Sequence, residues 1–169
     1  QVTLWAREPE VVAAMAERGE NPLFLPGVRF EVPVRATTDL AEAAAAEVLL
    51  LVVPAQYLGV TARALAPQVA TETPVVICAK GIELGTGRLM TQAAAAALPG
   101  RPLAVLSGPT FAAEVARGLP TAVTLAAADA ALGARLADTS GSRTFRPYLS
   151  DDLVGAEIGG AVKNVLAIA

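Results

Sequence analysis

Histidine is absent from this 169-residue chain, which removes Ser-His-Asp catalysis, His-based zinc sites and histidine general bases together. Proton transfer must then fall to Lys, Asp, Glu, Tyr or Cys. Cysteine occurs once, at Cys78, so no internal disulfide can form, which fits a reducing cytoplasm. No run of Lys and Arg stands out and the net charge is −3. That argues against a general nucleic-acid binder while leaving a small anionic ligand open. The longest clean apolar run, Val48 to Ala55, falls far short of the ~18 residues that a membrane span needs. The opening Q-V-T-L-W-A-R-E has no basic segment leading into an apolar one, so no signal peptide is visible.

What is present is apolar, 54% hydrophobic against 17% charged, and much of it is alanine, which suits helices packed closely on a sheet. The length suggests one domain, or one plus part of another. No internal repeat or low-complexity linker interrupts it. Val2 to Trp5 reads as a strand starting almost at residue 1, and with no initiator Met an excised or truncated segment is expected. A helix over Glu10 to Glu17 follows, closed by Gly19. Asn21 to Gly27, N-P-L-F-L-P-G, reads as a loop, because two prolines and a glycine oppose regular structure; its Leu23, Phe24 and Leu25 call for an apolar cover. Asp39 caps a helix, with Glu42 placed as in a capping box. Val48 to Val53 has no alternation, the pattern of a central strand covered on both faces.

Tyr57 to Leu65 is the next helix, Val75 to Ala79 a second buried strand, and Arg88 to Leu98 a helix. Leu103 to Leu106 is a strand that delivers the turn S-G-P-T to a helix over Phe111 to Arg117, stopped by Gly118. Thr121 to Leu125, Ala128 to Ala137 and Thr144 to Arg146 continue as strand, helix and strand. Alternation without hairpin signals predicts an α/β fold with a parallel, doubly wound sheet. From Asp151 or Asp152 a helix is expected to the last residue, with Leu153, Ile158, Val162, Val165 and Ala169 on its apolar side. A boundary near Ser150 divides the chain into residues 1–150 and 151–169.

Three places carry candidate chemistry. The Ser107–Gly118 stretch is either an ordinary tight turn or a cradle of free N–H groups for an oxygen-rich ligand. Lys80 follows a buried strand at its carboxyl end, where open α/β sheets bind ligands, and is otherwise an exposed lysine. Lys163 sits beside Gly159 and Gly160, between Val162 and Val165, as a desolvated amine or a snorkelling one. Arg7 lies where a dinucleotide's adenosine ribose would rest if Val2 to Trp5 is the second strand, and is otherwise a solvated side chain.

In order along the chain, N-P-L-F-L-P-G, V-V-P-A-Q, A-K-G-I-E, S-G-P-T-F-A-A-E-V-A-R-G-L-P-T-A and E-I-G-G-A-V-K-N-V-L-A-I-A resemble the bacterial NAD(P)-dependent sn-glycerol-3-phosphate dehydrogenases. The resemblance implies a Rossmann-like domain over 1–150 and the start of a helical substrate domain over 151–169. The implied reaction interconverts dihydroxyacetone phosphate and sn-glycerol 3-phosphate for glycerophospholipid synthesis. It implies Lys163 as catalytic proton donor and acceptor, and Lys80 in contact with cofactor and substrate. Gly108 and Thr110 are implied as substrate contacts, and Ala112 and Arg7 as cofactor contacts, the arginine being compatible with NADPH. The implied setting is a cytoplasmic homodimer. Two lysines near one carbonyl would lower each other's pKa.

The family's first strand and G-x-G-x-x-G turn are not found before Gln1, nor its substrate-phosphate Arg-Asn cluster after Ala169. These residues alone are therefore expected to be inactive, with the helix from Asp151 unpaired on its apolar side and prone to self-association or disorder. Alternatives are a ketopantoate-reductase-like or nucleotide-sugar enzyme of the same superfamily, and a non-catalytic nucleotide-binding module.

Overall fold

The computed structural model describes residues 1–166 and the side chains of residues 1–163. The expected helical run through residue 169 and the side chain of Val165 lie outside that range. The chain begins with β1 (Thr3–Trp5) and α1 (Pro9–Arg18). Pro9 suits the first helical position because its fixed φ is already helical. Val11, Ala14 and Met15 form the buried face, and Gly19 (φ 64) ends the helix by donating its N–H to Met15. After β2 (Glu20–Asn21) and β3 (Leu25–Arg29), β4 (Arg35–Thr37) pairs parallel with β1.

Asn21 to Gly27 is not the irregular loop that its prolines suggested. β2 and β3 form an antiparallel pair, closed by the Asn21 Oδ1 accepting the Phe24 N–H at 3.0 Å. Pro26 is tolerated because this two-stranded unit leaves each strand with an unpaired edge, where a missing N–H breaks no ladder bond. The cover expected over this segment is also missing among the described residues, since Leu23 and Phe24 are exposed.

Next come α2 (Leu40–Ala44), β5 (Leu49–Leu51), α3 (Ala55–Leu65), β6 (Val75–Ile77), α4 (Met90–Ala97) and β7 (Leu103–Ser107). Asp39 caps α2 through the Ala41 N–H, but Glu42 does not close a capping box. Its carboxylate pairs with the Arg35 guanidinium instead. The chain ends with α5 (Ala112–Ala116), β8 (Thr121–Ala127), α6 (Ala130–Ser140), β9 (Phe145–Ser150) and α7 (Leu153–Leu166). Asp152 caps α7 by accepting the Gly155 N–H at 2.8 Å.

β5 to β9 form one sheet in sequence order. Its strands are parallel from β5 to β7 and again between β8 and β9. The β7–β8 pair is antiparallel, so the expected parallel sheet carries one reversed join. Length explains it. A parallel crossover must carry the chain back along the strand, whereas five-residue α5 is about 7.5 Å long against about 16 Å for β7.

Helices cover both faces. Leu58, Leu65, Met90 and Leu98 pack over Val75 and Ile77, while Leu132 and Leu136 pack over Val76, Ala104 and Leu125. β5 is not the doubly covered strand that its apolar run predicted, because it ends the sheet and α6 does not reach it. Leu50 is 55% exposed and Val52 68%. Along α7, Val154, Ile158 and Val162 are exposed as an apolar stripe at four-residue spacing.

Candidate active site

The Ser107–Gly118 stretch leaves β7 at buried Ser107 and turns at Gly108. A Cβ on Gly108 would stand 3.0 Å from Val123 Cγ1 and 3.2 Å from the Ala122 carbonyl oxygen, so glycine lets the turn lie directly on β8. From the other side comes α7. A Cβ on Gly160 would stand 2.6 Å from the Ser107 hydroxyl oxygen and 3.4 Å from Lys80 Cγ, whereas one on Gly159 would meet open space. The two adjacent glycines thus differ in purpose. Gly160 brings the helix onto the strand end; Gly159 borders the space beside it.

That space is a cleft of about 230 Å³, lined among others by Ser107, Gly108, Thr124, Gly159, Gly160 and Lys163. Its size suits a small polar molecule or one end of a larger one, being below the usual range for drug-sized ligands. It lies between the turn and α7, not at the first turn of α5.

Lys80 stands three residues past β6. The loop that holds it is clasped by Gln56, whose amide donates to the Ile82 carbonyl and accepts the Leu84 N–H, both at 2.9 Å. Gly81 (φ 151) passes the start of α3 where a Cβ would lie 2.8 Å from Ala55 Cβ. The Lys80 ammonium donates to the Gly108 carbonyl at 2.8 Å. Burial pushes its pKa below the ordinary value of 10.5, the charge of Lys163 pushes it further down, and Cys78 opposes both. Lys80 is thus a partly desolvated amine at the carboxyl end of the sheet. Lys163 reaches the cleft from α7 with its Nζ over the Phe111 ring, 5.2 Å from the centroid, a cation–π contact.

The structure therefore brings Lys80, Gly108 and Lys163 together. Thr110 is half-buried just beyond the turn, and Ala112 is exposed at the first position of α5; neither lines the cleft. Arg7 is exposed past the carboxyl end of β1 and forms no ion pair among the described residues. Sequence reasoning missed Thr124, which sits opposite Ser107 in the β7–β8 register, and the ring of Phe111. It also missed Glu157, a buried carboxylate on α7 that accepts both the N–H and the hydroxyl of Thr91. The only signal for Glu157 was an acid standing alone among apolar and small residues.

A doubly covered, mostly parallel sheet with a lysine-flanked cleft at its strand ends defines a Rossmann-like α/β domain. More narrowly, the chain belongs to the NAD-dependent glycerol-3-phosphate dehydrogenase family. Residues 1–133 match the family model described as the "NAD-dependent glycerol-3-phosphate dehydrogenase N-terminus". It is 62% identical over 168 residues to a glycerol-3-phosphate dehydrogenase [NAD(P)+] of Paramagnetospirillum magneticum, covering 99% of this chain and 61% of that protein. A protein of the same name from Caulobacter vibrioides is 56% identical, over 99% of this chain and 51% of its own length. The crystal structure of glycerol-3-phosphate dehydrogenase from Coxiella burnetii superposes with a TM-score of 0.92 at 35% identity, over 99% of this chain and 52% of that one. The chain thus spans 51–61% of the length of these two curated relatives. Among the described residues, no helix is long and apolar enough to cross a membrane.

Proposed function

We propose that this chain carries one wall of the active site of an NAD(P)-dependent glycerol-3-phosphate dehydrogenase, which in its full length interconverts dihydroxyacetone phosphate and sn-glycerol 3-phosphate. The observation that carries the reading is the convergence of Lys80 and Lys163 on the Ser107–Gly108 turn. Reduction of a ketone builds negative charge on its oxygen, and a positioned acid must neutralise it. Lys163 is the residue read as transferring a proton to the C2 oxygen, and as taking it back in the reverse direction. Lys80, held by the Gly108 carbonyl, adds positive charge beside the same oxygen. Gly108 and Thr110 are read as substrate contacts.

The residues present fit a dinucleotide in part. Arg7 offers an exposed guanidinium at the carboxyl end of β1, suited to a 2′-phosphate, and Ala112 offers a small side chain at an open position. Arg7, Lys80 and Ala112 are the residues that would hold NAD(P)H, with NADPH favoured by the arginine. When bound, the nicotinamide supplies the hydride.

The same reading takes the full-length protein to be a cytoplasmic homodimer in which the Rossmann-like domain ends at 150 and residue 151 opens a helical substrate domain. The exposed stripe of Val154, Ile158 and Val162 supports α7 being covered there. Residues 1–169 alone are read as inactive. Lys163→Met in the full-length protein is expected to lower kcat by about 10²–10⁴-fold with cofactor affinity retained. Wild-type turnover of dihydroxyacetone phosphate by that variant would overturn the assignment.

A further inference from the structure

Among the described residues, Glu157 is the one charged residue with a buried side chain, 5% exposed. A carboxylate withdrawn from water needs compensation, and both of its oxygens find it on one residue. Oε1 accepts the Thr91 backbone N–H at 2.7 Å and Oε2 accepts the Thr91 hydroxyl at 2.6 Å. Thr91 is the second residue of α4, where backbone N–H groups have no partner inside the helix and the local field favours a negative charge. α7 thus supplies to α4 an acceptor from 66 residues away in sequence.

Two contacts then fix α7. Glu157 pins it to the head of α4, and Gly160, three residues on, seats it against Ser107 and Lys80. A helix held at two points three residues apart resists both sliding and turning on its axis, and one turn beyond Gly160 stands Lys163. We propose that Glu157 is a positioning residue for Lys163. By gripping both donors of Thr91, it sets the height and rotation of α7 that hold the Lys163 ammonium over Phe111 at the edge of the cleft. This rests on the functional reading above only where turnover is the readout.

The test uses the full-length protein. Glu157→Asp shortens the side chain by one methylene and cannot hold both donors, whereas Glu157→Gln keeps the length and one strong acceptor. The first readout is the acetylation rate of Lys163 under limiting acetic anhydride, mapped by mass spectrometry against Lys80 in the same sample. Glu157→Asp is expected to speed labelling of Lys163 relative to Lys80 at least threefold, and Glu157→Gln to stay within twofold of wild type. The second readout is kinetic: at least a tenfold fall in kcat for Glu157→Asp with cofactor affinity unchanged, largely restored in Glu157→Gln. A purely structural role would lower thermal stability and move neither. Unchanged Lys163 labelling in folded Glu157→Asp overturns the proposal. If that variant does not fold, Thr91→Val, which removes the hydroxyl alone, carries the same labelling prediction and the same penalty for failure. A wild-type protein that does not reduce dihydroxyacetone phosphate would sink the functional reading and leave the labelling result to decide Glu157.

Discussion

Gly160 of α7 and Ser107 of β7 meet with no room for one carbon atom between them. The neighbouring Gly159 faces open space, so two adjacent glycines form a controlled pair. Gly160→Ala is expected to destabilise the fold by about 1–3 kcal/mol, the usual cost of overpacking, and to push Lys163 away from the cleft. Gly159→Ala is expected to stabilise by about 0.5–1 kcal/mol through helix propensity alone. Urea midpoints of the two variants should move in opposite directions; a shared direction would contradict the placement of α7.

Lys80 makes stability depend on pH. Its pKa in the folded protein lies below 10.5, so between that lowered value and 10.5 the unfolded chain holds a proton that the folded one has released. Unfolding free energy then rises with pH through this window. Below it the charged lysine opposes folding in full. In Lys80→Met the rise should vanish. In Lys163→Met the window should narrow, since one of the causes lowering the Lys80 value is gone while burial remains. Urea midpoints measured from neutral pH to 10.5 would show a persisting rise in Lys80→Met if the assignment were wrong.

Cys78 behaves in the opposite sense. Burial pushes its thiol from 9.0 up to about 11, only partly offset by the charge of Lys80. The folded protein keeps a proton that the unfolded chain loses, so this group's contribution to stability falls as pH climbs from about 9 toward 11. Because the thiolate is the reactive form, iodoacetamide should alkylate the native protein about 100-fold more slowly than the urea-unfolded protein at the same mildly alkaline pH. Equal rates would refute the burial.

The order of strands and helices was legible because their ends are marked chemically. Asp39 and Asp152 cap helices through local N–H groups, and Gly19 and Gly118 stop them with positive φ; Asp129 caps α6 in the same way, one residue inside the start expected at Ala128. Lys80 was legible as a strand-end residue for the same reason. Whether a strand is covered on both faces was not, since the run Val48 to Val53 is the same string whether or not a helix reaches Leu50. The N-P-L-F-L-P-G hairpin was missed because proline excludes only the interior of a sheet. The reversal before β8 could have been foreseen from the shortness of α5. The grip of Glu157 on Thr91 could not, because it depends on where two helices arrive after 66 residues of chain.

The reversed join between β7 and β8 has a consequence for how Lys163 is delivered. Running against β7, β8 places Ala126 opposite Val105, and β9 ends with Ser150 beside Ala126. The chain therefore leaves the sheet below the level of Ser107 and must climb back, which it does as α7 after the two-residue step Asp151–Asp152. Each residue in that climb is worth about 1.5 Å of rise and about 100° of rotation. A single insertion or deletion at the step would therefore work against the seats of Glu157 and Gly160, and is expected to strain α7 without altering any cleft-lining residue. The length of a surface turn thus has to agree with two contacts inside the helix, as the throw of a crank must suit the bearings that hold it.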